Sequence, residues 1–323
     1  MCYEFFLQIV KDDLEKRLGD GYQLALRSIP KNNGIVRDGI SISKAGETVA
    51  PTIYLNDFYQ ELLDGEPLSK ICDRICQIYQ ENPSLPYLDS QAFISYERIH
   101  DRIVYKLINT QANASLLKKI PSIPFHDMSM VCYLLIEQQE KGYVTALIYK
   151  EHLKTWKIRD KDLFLAAIRN TPSLLPPVIQ PLNDVLRQLA VEMLGDSYQD
   201  APLDTLLETA AEYHLPEDTS FPALYVLTNP ARVNGAACMA YPLAVKNFAD
   251  RMGRDILILP SSIHEVLLMA DDSQYDYDEI SRLVTEINAS EVPPEDRLSN
   301  QIYRYERDLS QITAVSRSLS HCL

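Results

Sequence analysis

The chain has 323 residues, 46% of them apolar and 24% charged, with 31 basic against 45 acidic side chains and a net charge of −14. That much apolar material folds into one large or two modest domains without a disulfide or metal staple. The acidic excess repels phosphate backbones and sets aside sequence-independent nucleic-acid binding.

The N-terminal residues predict an amphipathic helix, because Phe5, Phe6, Ile9, Val10 and Leu14 recur at helical spacing before Gly19 and Gly21. Strands over 22–29 and 35–43 follow, joined at Asn33-Gly34, a dipeptide suited to the positive backbone angles of a tight hairpin. A third strand is expected over 48–55, then a helix capped by Asn56, a break at Asp64-Gly65, and a helix over 68–80 with Leu68, Ile71, Cys72, Ile75 and Tyr79 on one face. Pro83 and Pro86 mark 82–89 as a linker.

Beyond it, strands are predicted over 102–109, 128–136 and 143–149, and helices over 151–156 and 160–170. Four prolines make 171–181 irregular. Helices over 183–194 and 203–213 come next, then a strand over 223–228, a helix over 243–252, strands over 255–259 and 265–270, a helix over 278–288 and a strand over 301–305. The fold class is α+β: a small N-terminal helix–three-strand–helix module over 1–88, then a larger mixed α/β domain with a mixed sheet over 89–323. Its last third is acidic, since residues 196–310 hold 8 basic and 21 acidic side chains.

Cys2, Cys72, Cys76, Cys132, Cys238 and Cys322 form no disulfide framework, and the first residues lack the basic leader and long apolar core of a signal peptide. No apolar run reaches the roughly 20 residues that span a bilayer. A cytoplasmic protein with reduced thiols and no membrane contact is expected.

Seven segments carry a resemblance: PTIYLNDFY (51–59), DRIVYKLIN (101–109), IPFHD (123–127), NTPSLLP (170–176), YVLTN (225–229), GAAC (235–238) and ILPSSIHEVLL (258–268). In this order they resemble the bacterial family catalogued as Domain of Unknown Function 5688, from about residue 3 to 308. The layout after residue 99 is more distantly similar to Domain of Unknown Function 1444. Neither resemblance implies an activity.

The turn Pro260-Ser261-Ser262-Ile263-His264-Glu265 sets two hydroxyls, an imidazole and a carboxylate between two predicted strands. His264 is the candidate general base with Glu265 orienting it, although neighbours on a strand point to opposite faces. Cys238 precedes a predicted helix, and a helix N-terminus lowers a thiol's pKa; a pairing with His264 would supply a nucleophile. The alternative is a small apolar residue packed under that helix. His126 and Asp127 could join His264, Glu265 or Asp271-Asp272 in a metal site, but the histidines are dispersed with no H-E-x-x-H or C-x-x-C pair, and Cys72-x-x-x-Cys76 reads as core, so no metal and no cofactor is expected.

The segment bearing Asp271, Asp272, Tyr275, Asp276, Tyr277 and Asp278 reads either as a protein-binding edge, tyrosine being enriched at interfaces, or as a solvated connection whose acids favour the next helix's N-terminus. The leading expectation is a non-catalytic protein that binds another macromolecule, most simply a protein. The other is a hydrolase or transferase using Cys238 or Ser262 with His264.

Overall fold

The computed structural model describes residues 1–44, 52–81, 95–139, 142–194 and 223–315. The expected linker over 82–89, the helix over 203–213, residues 48–51 of the third strand and Cys322 lie outside them. The chain divides into two units, Met1–Ile99 and His100–Leu323.

In the first unit α1 (Tyr3–Leu18) buries Phe6, Val10 and Leu14, each four residues apart, and a left-handed-region Gly19 ends it. Phe5, expected inside, is exposed, because it stands about 100° round the helix from that stripe. β1 (Tyr22–Pro30) and β2 (Val36–Lys44) form an antiparallel hairpin, with Asn33 and Gly34 at positive φ in its turn, and β3 (Thr52–Tyr54) pairs with β2. α2 (Asn56–Leu63) starts one residue earlier than a cap at Asn56 requires, with Leu55 in the cap position. The Asn56 amide is used elsewhere: it accepts the Asp38 N–H at 3.0 Å and donates to the Tyr3 hydroxyl at 2.9 Å. α3 (Leu68–Glu81) buries Ile71, Cys72, Ile75 and Tyr79 against Ile40 and Ile42 of β2 and the α1 stripe, which makes one core.

The first unit ends with α4 (Tyr96–Ile99), and the second opens on β4 (Ile103–Asn109); the short α5 (Ala114–Leu117) and β5 (Ser122–Phe125) precede the long β6 (Met128–Gln139) and β7 (Gly142–Leu147). β4 pairs with one edge of β6, while β5 and β7 share the other. α6 (Lys150–Trp156) and α7 (Asp160–Leu174) follow.

α7 runs through Pro172, where an irregular stretch was expected. The proline removes one helical hydrogen bond in the last turn, but tertiary bonds hold that turn. Asn170 Nδ2 donates to the His100 and Ile103 carbonyls at 2.7 and 3.1 Å, and the Thr171 hydroxyl donates to the Ala167 carbonyl while accepting the Tyr105 N–H at 3.0 Å. The last of these also satisfies an N–H on the outer edge of β4.

β8 (Val178–Pro181), α8 (Leu182–Leu194), β9 (Leu224–Thr228), α9 (Ala244–Met252), β10 (Ile256–Pro260), β11 (Val266–Ala270), α10 (Tyr277–Ser290), β12 (Tyr303–Glu306) and β13 (Gln311–Ala314) complete the chain. The strands form a sheet of order β13-β12-β10-β11-β9-β8. A mixed sheet was expected, yet every ladder among the described residues is antiparallel. The cause is an insertion. β9 and β10, joined through α9, run the same way, but β11 turns back and lies between them, so no parallel ladder forms.

The β5–β6 hairpin tip is fastened to β12. Asp127 accepts the Ser299 hydroxyl at 2.7 Å and the Tyr303 hydroxyl, and the His126 ring packs 5.0 Å from that of Tyr303 at φ 56°. Burial holds the His126 imidazole below the usual histidine range, with Asp127 opposing, and burial does the same to His152. The unfolded chain therefore takes up a proton at a higher pH than the folded one. Stability is expected to fall as pH drops below about 6.5 toward the depressed folded value. Thermal melts at neutral and mildly acidic pH check this: His126→Asn, which tolerates positive φ, should show a shallower loss than wild type, and an equal loss would show that His126 does not contribute.

Candidate functional site

The turn after β10 closes on itself. Ser262 is buried; its hydroxyl accepts the His264 N–H at 3.0 Å and donates to Glu265 Oε1 at 3.3 Å. His264 is half-buried between two distant segments: Nδ1 accepts the Asn234 N–H at 3.3 Å, and Nε2 lies 3.3 Å from Asp296 Oδ1. An accepting Nδ1 places the proton on Nε2, which then points at the carboxylate. A general base needs a free lone pair facing its nucleophile, and neither nitrogen offers one in this arrangement.

Cys238 lies in the 3₁₀ turn Gly235–Ala240, fully buried, and its Sγ donates to the Thr228 carbonyl at 3.3 Å. Burial pushes its thiol up to about 12, opposite to the lowering expected from a helix N-terminus. Among the described residues no hydrogen bond joins Cys238 to His264. They are linked only through scaffold, since the Thr228 hydroxyl donates to the His264 carbonyl at 2.8 Å. In the native protein Cys238 should resist alkylation at mildly alkaline pH, where exposed Cys2 reacts, and should label on unfolding. Peptide mapping after iodoacetamide checks this, and fast native labelling of Cys238 would return it to the list of nucleophiles.

The acidic segment divides into an inner and an outer set. The Asp271 side chain is fully buried: it accepts the Tyr277 hydroxyl at 3.0 and 2.9 Å and the Ser273 N–H at 2.9 Å, and Arg304 Nε stands 3.1 Å away without hydrogen-bond alignment. Asp276 caps α10, accepting the Asp278 and Glu279 N–H groups at 2.9 and 3.1 Å. Asp272 folds back on the Gln274 N–H at 2.9 Å, and Tyr275 packs on the core under the sheet. The outer set is Asp272, Asp278 and Glu279, none of which has a basic partner within ion-pair distance among the described residues.

Arg304 also pairs with Asp255 at 2.7 Å, Asp255 accepts the Arg307 N–H at 2.9 Å, and Asp250 lies 3.2 Å from Arg307 Nε and 2.6 Å from Lys246 Nζ. Acids and bases thus alternate from α9 to the acidic loop, beside a cavity of about 340 Å³ walled by Arg254, Asp255, Asp272 and Arg304. Among the described residues no cluster of side chains could hold a metal ion, and no helix is long and apolar enough to cross a membrane.

Asn234, Asp296 and Arg304, which complete these arrangements, escape sequence reasoning. They lie about 30 residues from their partners, and no motif marks them.

These segments belong to one recognised pattern. Residues 3–307 match the family of unknown function DUF5688, and the chain belongs to that family. No curated protein and no solved structure matches it.

Proposed function

We propose that the chain works in the bacterial cytoplasm by binding another protein, and that it does no chemistry at Cys238, Ser262 or His264. The observation that carries this reading is the commitment of all three side chains to internal partners, while Asp272, Asp278 and Glu279 stand outward without counter-charges. Carboxylates placed so steer a partner with a basic face and set its register. Free thiols at Cys2, Cys72, Cys76, Cys132 and Cys238 suit a reducing compartment.

The test is cross-linked capture from native lysate with wild type and with the triple variant Asp272→Asn, Asp278→Asn, Glu279→Gln. Asp271 and Asp276 are left alone because the fold uses them. A basic protein held by wild type, lost by the variant and released by salt supports the proposal. Identical captures overturn it.

A further inference from the structure

A cavity of about 690 Å³ forms a groove separate from the acidic loop. Its floor and one wall are Pro172 at the end of α7, Pro177, and Ile179 of the edge strand β8. The opposite wall is α9 with its preceding turn, where Leu243, Asn247 and Arg251 stand four residues apart and all face the groove. Leu243 is 60% exposed and lines the groove with Pro172, Pro177 and Ile179. The Tyr241 hydroxyl, also at the groove, is already spent on the Leu175 carbonyl at 3.0 Å. Polar recognition there falls to the Asn247 amide and the Arg251 guanidinium.

Arg251 is the single charged residue among those described around the groove. Its guanidinium lies over the Phe248 ring at 5.6 Å, and no carboxylate is within ion-pair distance among the described residues. In a chain of net charge −14, a base held in place by an aromatic ring and left unpaired at the rim of an apolar groove selects an acidic group. A primary amide beside it matches the donor and acceptor of a peptide unit.

The spacing sets a register. Residues four apart on a helix rise about 6 Å, and an extended chain advances about 6.6 Å for each two residues on one face. We propose that the groove binds an extended peptide segment of a partner protein, with an apolar side chain on Leu243, Pro177 and Ile179, a backbone amide paired to Asn247, and an acidic side chain four positions along on Arg251. This rests on the protein-binding reading and names a second surface for it. The capture experiment on the acidic loop tests that reading separately.

The probe is a fluorescein-labelled, terminally blocked peptide with leucine and glutamate four positions apart on a threonine–proline background, titrated by anisotropy against the full chain. Saturable binding is expected, weakened at least tenfold by Leu243→Asp and by Arg251→Glu. Exchanging the peptide's glutamate for lysine should weaken binding to wild type and restore it to Arg251→Glu, which also shows that this variant is folded. Absence of saturable binding, or an Arg251→Glu variant that prefers the glutamate peptide, overturns the proposal.

Discussion

Gly235→Ala is expected to destabilise the second unit by about 3 kcal/mol, a fall of about 10 °C in its melting temperature at that size. A Cβ at Gly235 would overlap the Thr228 hydroxyl and lie 2.5 Å from the His264 carbonyl oxygen and 2.9 Å from the Asn229 nitrogen. Two of those neighbours are backbone and cannot rotate away. Thr228 and His264 are also bonded to each other, so moving either breaks the link between β9 and the turn after β10. Gly253 is the control. It sits at φ 67° with open space around it, so Gly253→Ala should cost only about 1 kcal/mol of backbone strain. Calorimetric melts of both variants decide the matter, and equal losses would mean that the close approach at Gly235 does not constrain the fold.

Arg304→Ala is expected to cost about 2 to 3 kcal/mol, toward the low end for breaking a buried ion pair because the arginine itself is one-third exposed. The variant leaves the fully buried Asp271 carboxylate with only the Tyr277 hydroxyl and the Ser273 N–H. Adding Asp271→Asn to Arg304→Ala should recover part of the loss, since the stranded charge goes with it. Chemical denaturation of both singles and the double measures the coupling. Strictly additive losses would show that the two groups do not act as a pair.

Much of the fold was legible where periodicity was long. α1 and α3 announce themselves by apolar residues three and four apart, and the first hairpin by Asn33-Gly34. Short elements with little apolar content were not. β5 contains Pro124 and is largely exposed, while β13 is four residues with a single isoleucine. The continuation of α7 past Pro172 depends on Asn170 and Thr171 gripping the start of β4, a contact some 66 to 70 positions away in the chain.

The site divides along the same line. Asp276 as a helix cap follows from its place before Asp278 and Glu279, and the turn at 260–265 from its composition. What occupies His264 does not, because Asn234 and Asp296 reach it from opposite directions along the chain. The expectation of a lowered thiol pKa at Cys238 failed for a related reason. Proximity to a helix start is local, whereas complete burial is set by the whole sheet.

The insertion of β11 between β9 and β10 bears on how the chain is made. On the ribosome β9 and β10 emerge first, with the facing edges that β11 will occupy still unpaired and the side chains of β10, all buried in the finished fold, exposed to water. Neither edge can be closed until Ala270 has left the exit tunnel, so the nascent chain passes through an interval in which two adhesive strands are unprotected. A pause in synthesis that leaves Pro260 outside the tunnel and Ala270 still within it would prolong that interval, and is the pause that most readily turns into aggregation.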